Sequence, residues 1–274
     1  MTNEISRLSD IAKEIRRRTI LSLYTAQSGH PGPSLSWTEI ATTLLFKEMD
    51  LADNPDDERD RIILSKGHGV ATLYSAISIL NPEYISIDQL KTLRDLGSPL
   101  QGHPVRGTVP YIDASTGSLG QGLSVGIGYA LGIKLKNQER RVYVILGDGE
   151  CQEGQVWEAF MAAPKFNLNN LVAIIDHNKF QNESSVKDTM PLNPLEDKLK
   201  SFGWYVQRVD GHNIQGLLDA YDNTRASKFP SVIIADTIKG KGISFMENNM
   251  AWHSKVITPQ EYDLALKDLN GSGE

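Results

Sequence analysis

Two oxygen-bearing side chains, Asp148 and Asn178, each follow an apolar run, and they stand 30 residues apart. Val142 to Leu146 leads into Gly147-Asp148-Gly149-Glu150, and Leu171 to Asp176 leads into His177-Asn178. Beyond the carboxyl ends of parallel strands is where ligands gather in open α/β sheets. Asp148 offers a hard carboxylate oxygen and Asn178 an amide oxygen. With a nearby backbone carbonyl they make a partial shell for Mg2+ that phosphate and water oxygens would complete. The glycines let backbone approach a ligand closely, and a helix opening near Cys151 would point its N-terminus at that anion. Other readings stay open. A Gly-Asp-Gly is also a common turn. A G-x-G after a strand also suits a dinucleotide, with Asp176 as ribose acceptor, although the G-x-G-x-x-G pattern fails at Gln152.

Six histidines are present, and four of them, His30, His68, His103 and His253, sit in glycine-rich or loop settings. A lone loop imidazole is usually a solvated surface group. Several converging on one sheet edge could instead bind hydroxyls and exchange protons near neutral pH. His177 and His212 receive no chemical role: one neighbours Asn178, the other shapes the Asp210-Gly211 turn. The single cysteine, Cys151, excludes an intrachain disulfide and reads as a small buried residue.

The elements that must position these groups follow from periodicity. Residues 4–27 carry apolar positions at three- and four-residue steps, giving one long amphipathic helix that ends at Gly29-His30-Pro31-Gly32-Pro33. A second helix is expected from Trp37 to Lys47, then a polar loop through Asn54-Pro55, a strand from Arg61 to Leu64 and a helix from Val70 to Leu80. Gly97 to Gly122 is rich in Gly, Pro and Ser and reads as a long functional loop, followed by a helix from Leu119 to Leu135. The second half alternates: strands at Val142 to Leu146, Leu171 to Asp176, Trp204 to Val209 and Val232 to Asp236, helices at Gln155 to Lys165 and Ile214 to Arg225. Trp37, Trp157 and Trp204 read as core. Apolar strands separated by helices predict an α/β fold, a doubly wound parallel sheet with helices on both faces, formed by residues 1–274 as a single domain with a helical N-terminal segment.

Composition narrows the partners. The 274 residues are 40% hydrophobic and 23% charged, with a net charge of −6. A mildly acidic chain is a poor electrostatic match for nucleic acid or an anionic membrane, so neither is expected as a partner. No run of 18 apolar residues suggests a span, and the polar N-terminus has no signal-peptide core, so the cytoplasm is the expected compartment.

GDGECQEGQVWEA followed by DHNKFQ resembles the thiamine diphosphate motif of the transketolase family. SGHPGPSLS, LSKGHG, LQGHP, STGSLGQGLS and KGKGISFMENNMAWH resemble, in order, its other cofactor- and sugar-binding segments, so the likeness runs from about residue 8 to 265. It implies thiamine diphosphate with Mg2+ (Ca2+ or Mn2+ as substitutes) held by Asp148, Asn178 and the carbonyl of Phe180. His68, Gly149 and His253 would contact the diphosphate, with Glu150 beside them. Backbone of Gly117, Ser118 and Leu119 would meet the aminopyrimidine. His30, His103 and His253 would line a channel for sugar or sugar-phosphate substrates, and Glu153 would bridge toward a glutamate of the partner.

The cofactor's carbanion chemistry requires a carboxylic acid on the aminopyrimidine. In transketolases that acid comes from a second, pyrimidine-binding domain, which would begin after about residue 275. The resemblance is therefore to the N-terminal subunit of a split transketolase, completed by a C-terminal subunit, with an α2β2 heterotetramer as the family pattern. The implied reaction moves a two-carbon ketol unit from a ketose to an aldose. A related thiamine enzyme using another donor or an unusual sugar, and a non-catalytic structural or regulatory paralogue, are the alternatives. Glu183-Ser184 replaces the usual Asp-Gly pair after Asn178, and Ser254-Lys255-Val256-Ile257 replaces Gly-Lys-Ala-Pro after the last histidine. Pro33 stands where Gly is common. The first two flank the expected channel and bear on which sugar is accepted.

Overall fold

The chain is described from a computed structural model covering residues 2–52 and 58–271. The loop expected through Asn54-Pro55 lies outside the described residues. Five strands, β1 (Arg61–Leu64), β2 (Val142–Gly147), β3 (Leu171–His177), β4 (Tyr205–Asp210) and β5 (Ser231–Asp236), form one parallel sheet in the order β1-β2-β3-β5-β4. Helices separate the strands along the chain. α1 (Thr2–Ala26), α2 (Pro31–Leu35) and α3 (Thr38–Thr43) precede β1. Between β1 and β2 come α4 (Val70–Leu80), α5 (Ile87–Leu90) and α6 (Gln121–Leu135), and α7 (Gly154–Lys165) follows β2. The short α8 (Val186–Thr189) and α9 (Leu195–Ser201) lead to β4, α10 (Ile214–Ala226) joins β4 to β5, and α11 (Pro259–Gly271) ends the described chain.

Alternation along the strands explains the two-faced packing. Tyr143, Ile145, Val172, Ile174 and Ile233 point to one core, which also takes Ile15 and Ile20 of α1, Ile40 of α3 and Tyr74 of α4. Val144, Leu146, Ala173, Ile175 and Ile234 point to the other, filled by Leu123 of α6, Phe160 of α7 and Leu199 of α9. Buried on both faces, β2, β3 and β5 can be apolar along their central residues. β4 closes one edge and is largely exposed. Among the described residues no helix is long and apolar enough to cross a membrane.

Several boundaries differ from expectation for local reasons. The Gly29–Pro33 break is confined to residues 27–30, where Gln27 (φ 47°) and Gly29 (φ 126°) leave the helical region. α2 then starts on Pro31, because proline lacks only an N–H that a first helical residue would not use. The helix expected from Trp37 to Lys47 is α3 followed by a π-helical turn, Leu44–Glu48. α6 begins at Gln121 rather than Leu119, since Gly120 at φ 85° caps it. β4 starts one residue later than expected, at Tyr205, with Trp204 in the core. Trp37 is fully buried, whereas Trp157 is half-buried at the core margin. α11 lies beyond the expected elements, although Tyr262, Ala265, Leu266 and Leu269 recur at three- and four-residue steps; it buries Ala265 and Leu269 and stacks Tyr262 on Tyr24 of α1.

Candidate active site

Parallel register carries β2 and β3 to the same edge, with Gly147 opposite Asp176, so Asp148 and Asn178 emerge side by side. The residues after Asp148 form a single 3-10 turn, Gly149–Gln152, and the helix begins only at Gly154. The helix N-terminus expected near Cys151 is therefore displaced. Cys151 is fully buried with its thiol on the carbonyl of Gly147, and burial pushes its proton affinity up.

The Asp148 carboxylate accepts the backbone N–H of Gly149 (2.7 Å) and that of Lys179 (2.5 Å), the latter presented by a left-handed turn at Lys179 (φ 72°). Burial and then the negative charge of Asp176 raise its pKa to about 6, so a cation at this point would restore the ionised form. Asn178 donates its amide to Asp176 (3.2 Å), and its oxygen accepts the N–H of Phe180 (3.2 Å). Among the described residues no group of three or more His, Cys, Asp or Glu could hold a metal. One carboxylate, one amide and one carbonyl suit a hard oxygen-seeking cation that shares its shell with phosphate, and the residues fit that group.

Beneath this edge, Asp176 is fully buried and ion-paired with Lys66, which is 1% exposed. Its carboxylate also accepts the hydroxyls of Ser36 (2.6 Å) and Thr237. Burial raises its proton affinity, but Lys66 and the hydroxyls outweigh that and hold its pKa below the ordinary value. Glu150 is committed as well: it accepts the N–H groups of Gly147 (2.9 Å) and Gly120 (2.8 Å) and the hydroxyl of Ser65. It braces the turn between α6 and the sheet.

The four loop histidines meet here. Ring centroids are 5.3 Å apart for His30 and His68, 5.3 Å for His30 and His253, 5.4 Å for His68 and His253, and 6.4 Å for His30 and His103. They share a cavity of about 350 Å3 with Asp148, Asn178, Gly149 and Phe180. Burial, followed by neighbouring cations, lowers the pKa of His30 to about 4 and of His253 to about 3, and holds His68 well below the ordinary imidazole value. These rings are neutral at pH 7, so each has one lone pair and one N–H, although Nδ1 of His253 already faces Lys239 (3.0 Å). The buried Nδ1 of His30 has no partner, which marks it as a group awaiting a ligand.

Gly117 (φ 144°) passes so close to His103 that a Cβ there would lie 3.0 Å from the ring. Gly117 and Leu119 line the cavity, while Ser118 between them is exposed. Glu153 is exposed at the cavity margin and opens α7. His177 and His212 stay outside. His177 bonds Asp236 (2.7 Å). The N–H of His212 does join the Asp210 turn (2.9 Å), but its ring ties Glu39 (2.9 Å) to the N–H of Ile238 (2.8 Å).

Sequence reasoning missed two cations. Lys66 and Lys239 are buried beside the cavity, Lys239 donating to the carbonyl of Gln181 (2.7 Å) and facing Nδ1 of His253 (3.0 Å). Burial and then Lys66 lower the pKa of Lys239 to about 8. Both stand inside family-like motifs, LSKGHG and KGKG, and that placement was the available signal.

Residues 8–270 match the family described as transketolase, thiamine diphosphate binding domain. The 6-deoxy-6-sulfo-D-fructose transketolase subunit SqwG of Clostridium sp. (strain MSTE9) is 42% identical over 266 residues, 96% of each chain. An apulose-4-phosphate transketolase subunit of Actinobacillus succinogenes is 40% identical over 261 residues, 94% of each. Human transketolase is 36% identical over 97% of this chain but only 42% of its own. Transketolase from Leishmania mexicana superposes with a TM-score of 0.89 at 25% identity, over 96% of this chain and 41% of that one. The Campylobacter jejuni enzyme gives 0.87 at 29%, over 95% and 43%. This chain thus spans about two fifths of the length of those solved transketolases. Motif order, sheet and cavity agree with the sequence match over nearly the whole chain, which belongs to the transketolase family as a thiamine diphosphate-binding domain.

Proposed function

We propose that this chain is the diphosphate-binding, N-terminal subunit of a thiamine diphosphate-dependent transketolase that moves a two-carbon ketol unit from a ketose to an aldose. The observation that carries the reading is one cavity joining four neutral histidines to Asp148 and Asn178. When bound, the cofactor supplies the carbon nucleophile and electron sink for the ketol fragment. Asp148, the Asn178 oxygen and the Phe180 carbonyl would hold Mg2+ (Ca2+ or Mn2+ as substitutes). The Gly149 backbone, His68 and His253 would border the diphosphate, with Lys239 as its counter-charge. Gly117, Ser118 and Leu119 would offer backbone to the aminopyrimidine. His30, His103 and His253 would accept and donate hydrogen bonds at sugar hydroxyls and hold protons there.

The remaining acid is proposed to come from a partner chain carrying the pyrimidine-binding domain, in an α2β2 assembly. Supporting this, Asp148, Glu150 and Asp176 are each engaged by protein groups, which leaves exposed Glu153 at the margin to face a partner. Relatives of matching length are named as subunits. Exposed Val125, Leu135, Met161 and Phe166, on or just after α6 and α7, offer apolar surface along the two helices that start at that margin. Residues 1–274 would act as one such domain, in the cytoplasm, where a lone buried thiol needs no oxidising compartment. The intact set of cavity residues speaks against an idle structural paralogue. An unusual sugar remains a specific second reading, favoured by Glu183-Ser184 and Ser254-Lys255 beside the cavity and by relatives named for sulfofructose and apulose-4-phosphate.

The test pairs calorimetry with turnover. Asp148→Ala should abolish Mg2+-dependent binding of thiamine diphosphate, and unchanged affinity would remove the metal assignment. Ketol transfer should appear when the co-purified partner is added to the native chain. An assembled complex inactive toward every ketose donor, phosphorylated or sulfonated, would refute the reaction.

A further inference from the structure

Arg94 stands apart from the groups already assigned. It adopts a left-handed backbone (φ 68°), unusual for a residue with a long side chain, and its N–H is held by the carbonyl of Leu100 (2.8 Å). That turn aims the side chain back across the chain. One terminal nitrogen of the guanidinium donates to the hydroxyl of Ser28, two residues before His30. The rest of the guanidinium lies on Gly102, immediately before His103; a Cβ built at Gly102 would fall 2.1 Å from Nε and 2.7 Å from Cζ of Arg94. Only glycine admits this approach.

We propose that Arg94 is a positioning residue, its guanidinium clamping the segment before His30 to the segment before His103 and so fixing how the two imidazoles face a bound sugar. The clamp rests on the reading of this cavity as a sugar-handling site. A planar guanidinium can donate to Ser28 at one nitrogen while the rest of the group packs against Gly102, a shape that an ammonium point charge lacks. Among the described residues no carboxylate pairs with Arg94, so its positive charge acts on its surroundings. Burial is the larger cause of the lowered pKa at His30 and His103, and Arg94 is the next cause at both. The clamp therefore also keeps both rings in the neutral form that a hydroxyl needs.

Three variants test it: Arg94→Ala, Arg94→Lys and Gly102→Ala, the last displacing the guanidinium from the opposite side. Titration of the histidine ring nitrogens by NMR uses the chain as purified and needs no partner. Arg94→Ala should raise the titration midpoints of His30 and His103, and Arg94→Lys should hold them near the native values. In the assembled enzyme Arg94→Ala and Gly102→Ala should lower kcat by about 10- to 100-fold with little change in thiamine diphosphate affinity. Added guanidinium ion should recover activity in Arg94→Ala but not in Gly102→Ala, and Arg94→Lys should recover it poorly. Unchanged midpoints and kcat in Arg94→Ala would overturn the clamp. So would a loss of kcat that tracks a lower Tm and ignores guanidinium. A native complex without turnover would instead count against the proposed reaction, and the ring titrations would still decide for or against the clamp.

Discussion

At the scale of single residues, the chemistry hangs on charges that cannot reach water. Asp176 accepts from Lys66, Ser36, Thr237 and the Asn178 amide, so one carboxylate neutralises a buried ammonium and also orients the amide beside Asp148. Removing one member of a buried pair leaves the other uncompensated, a loss of about 3–5 kcal/mol. Asp176→Ala should therefore lower the unfolding free energy by about that amount in urea and weaken Mg2+ binding. A variant as stable as the native chain would show that Lys66 finds another partner. Asp148, Asn178 and the four cavity histidines were legible in the sequence because strand ends, glycines and loop settings mark them. Lys66 and Lys239 were not. Lysine is read by default as a solvated surface residue, and only tertiary packing reveals these two at 1% and 0% exposure.

At the scale of elements, the strands were the easiest part to read, since burial on both faces demands unbroken apolar runs, and β1 and α4 fall on their expected bounds. Harder was α2, where two prolines signal a break yet fit the first turn. Harder still were the ties between elements. Glu39 on α3 binds Arg16 of α1 (2.7 Å) and the ring of His212, which in turn receives the N–H of Ile238. Nothing in local periodicity announces a link spanning these segments. Burial alone would raise the pKa of Glu39, but Arg16 and then His212 outweigh it and hold it at about 2. A carboxylate with a folded pKa below its unfolded value of 4.5 contributes stability that is complete above about pH 4.5 and is lost as pH falls toward 2. By linkage this amounts to at most about 3 kcal/mol. Thermal melts between pH 6 and pH 3 should show Tm falling through that window, and Glu39→Gln should be less stable at pH 6 with a flatter acid limb. Parallel acid limbs for the two proteins would assign the loss to other carboxylates.

At the scale of the whole molecule, the two ends of the cavity differ in what they offer a ligand. The end proposed to take the diphosphate brings together Asp148 and Asn178 from adjacent strand ends, His68 and His253 stacked at 5.4 Å, and the buried Lys239. The other end is the Gly117–Leu119 backbone, with Ser118 exposed and Glu153 at the margin. Binding energy available to this chain alone should therefore come mostly from the charged diphosphate. Isolated, it should bind thiamine diphosphate and inorganic diphosphate, each with Mg2+, with affinities within about tenfold of each other, a difference near 1.4 kcal/mol. Once the proposed partner encloses the aminopyrimidine, burial of that ring should separate the two ligands by a further factor of about 10 to 100, since an aromatic ring taken out of water contributes about 1.5–3 kcal/mol before any hydrogen bond to it is counted. Calorimetry with both ligands, on the chain alone and then on the complex, reads the two differences directly. Strong preference for thiamine diphosphate by the isolated chain would mean that it captures the aminopyrimidine unaided, and the division of the site between two subunits would have to be redrawn.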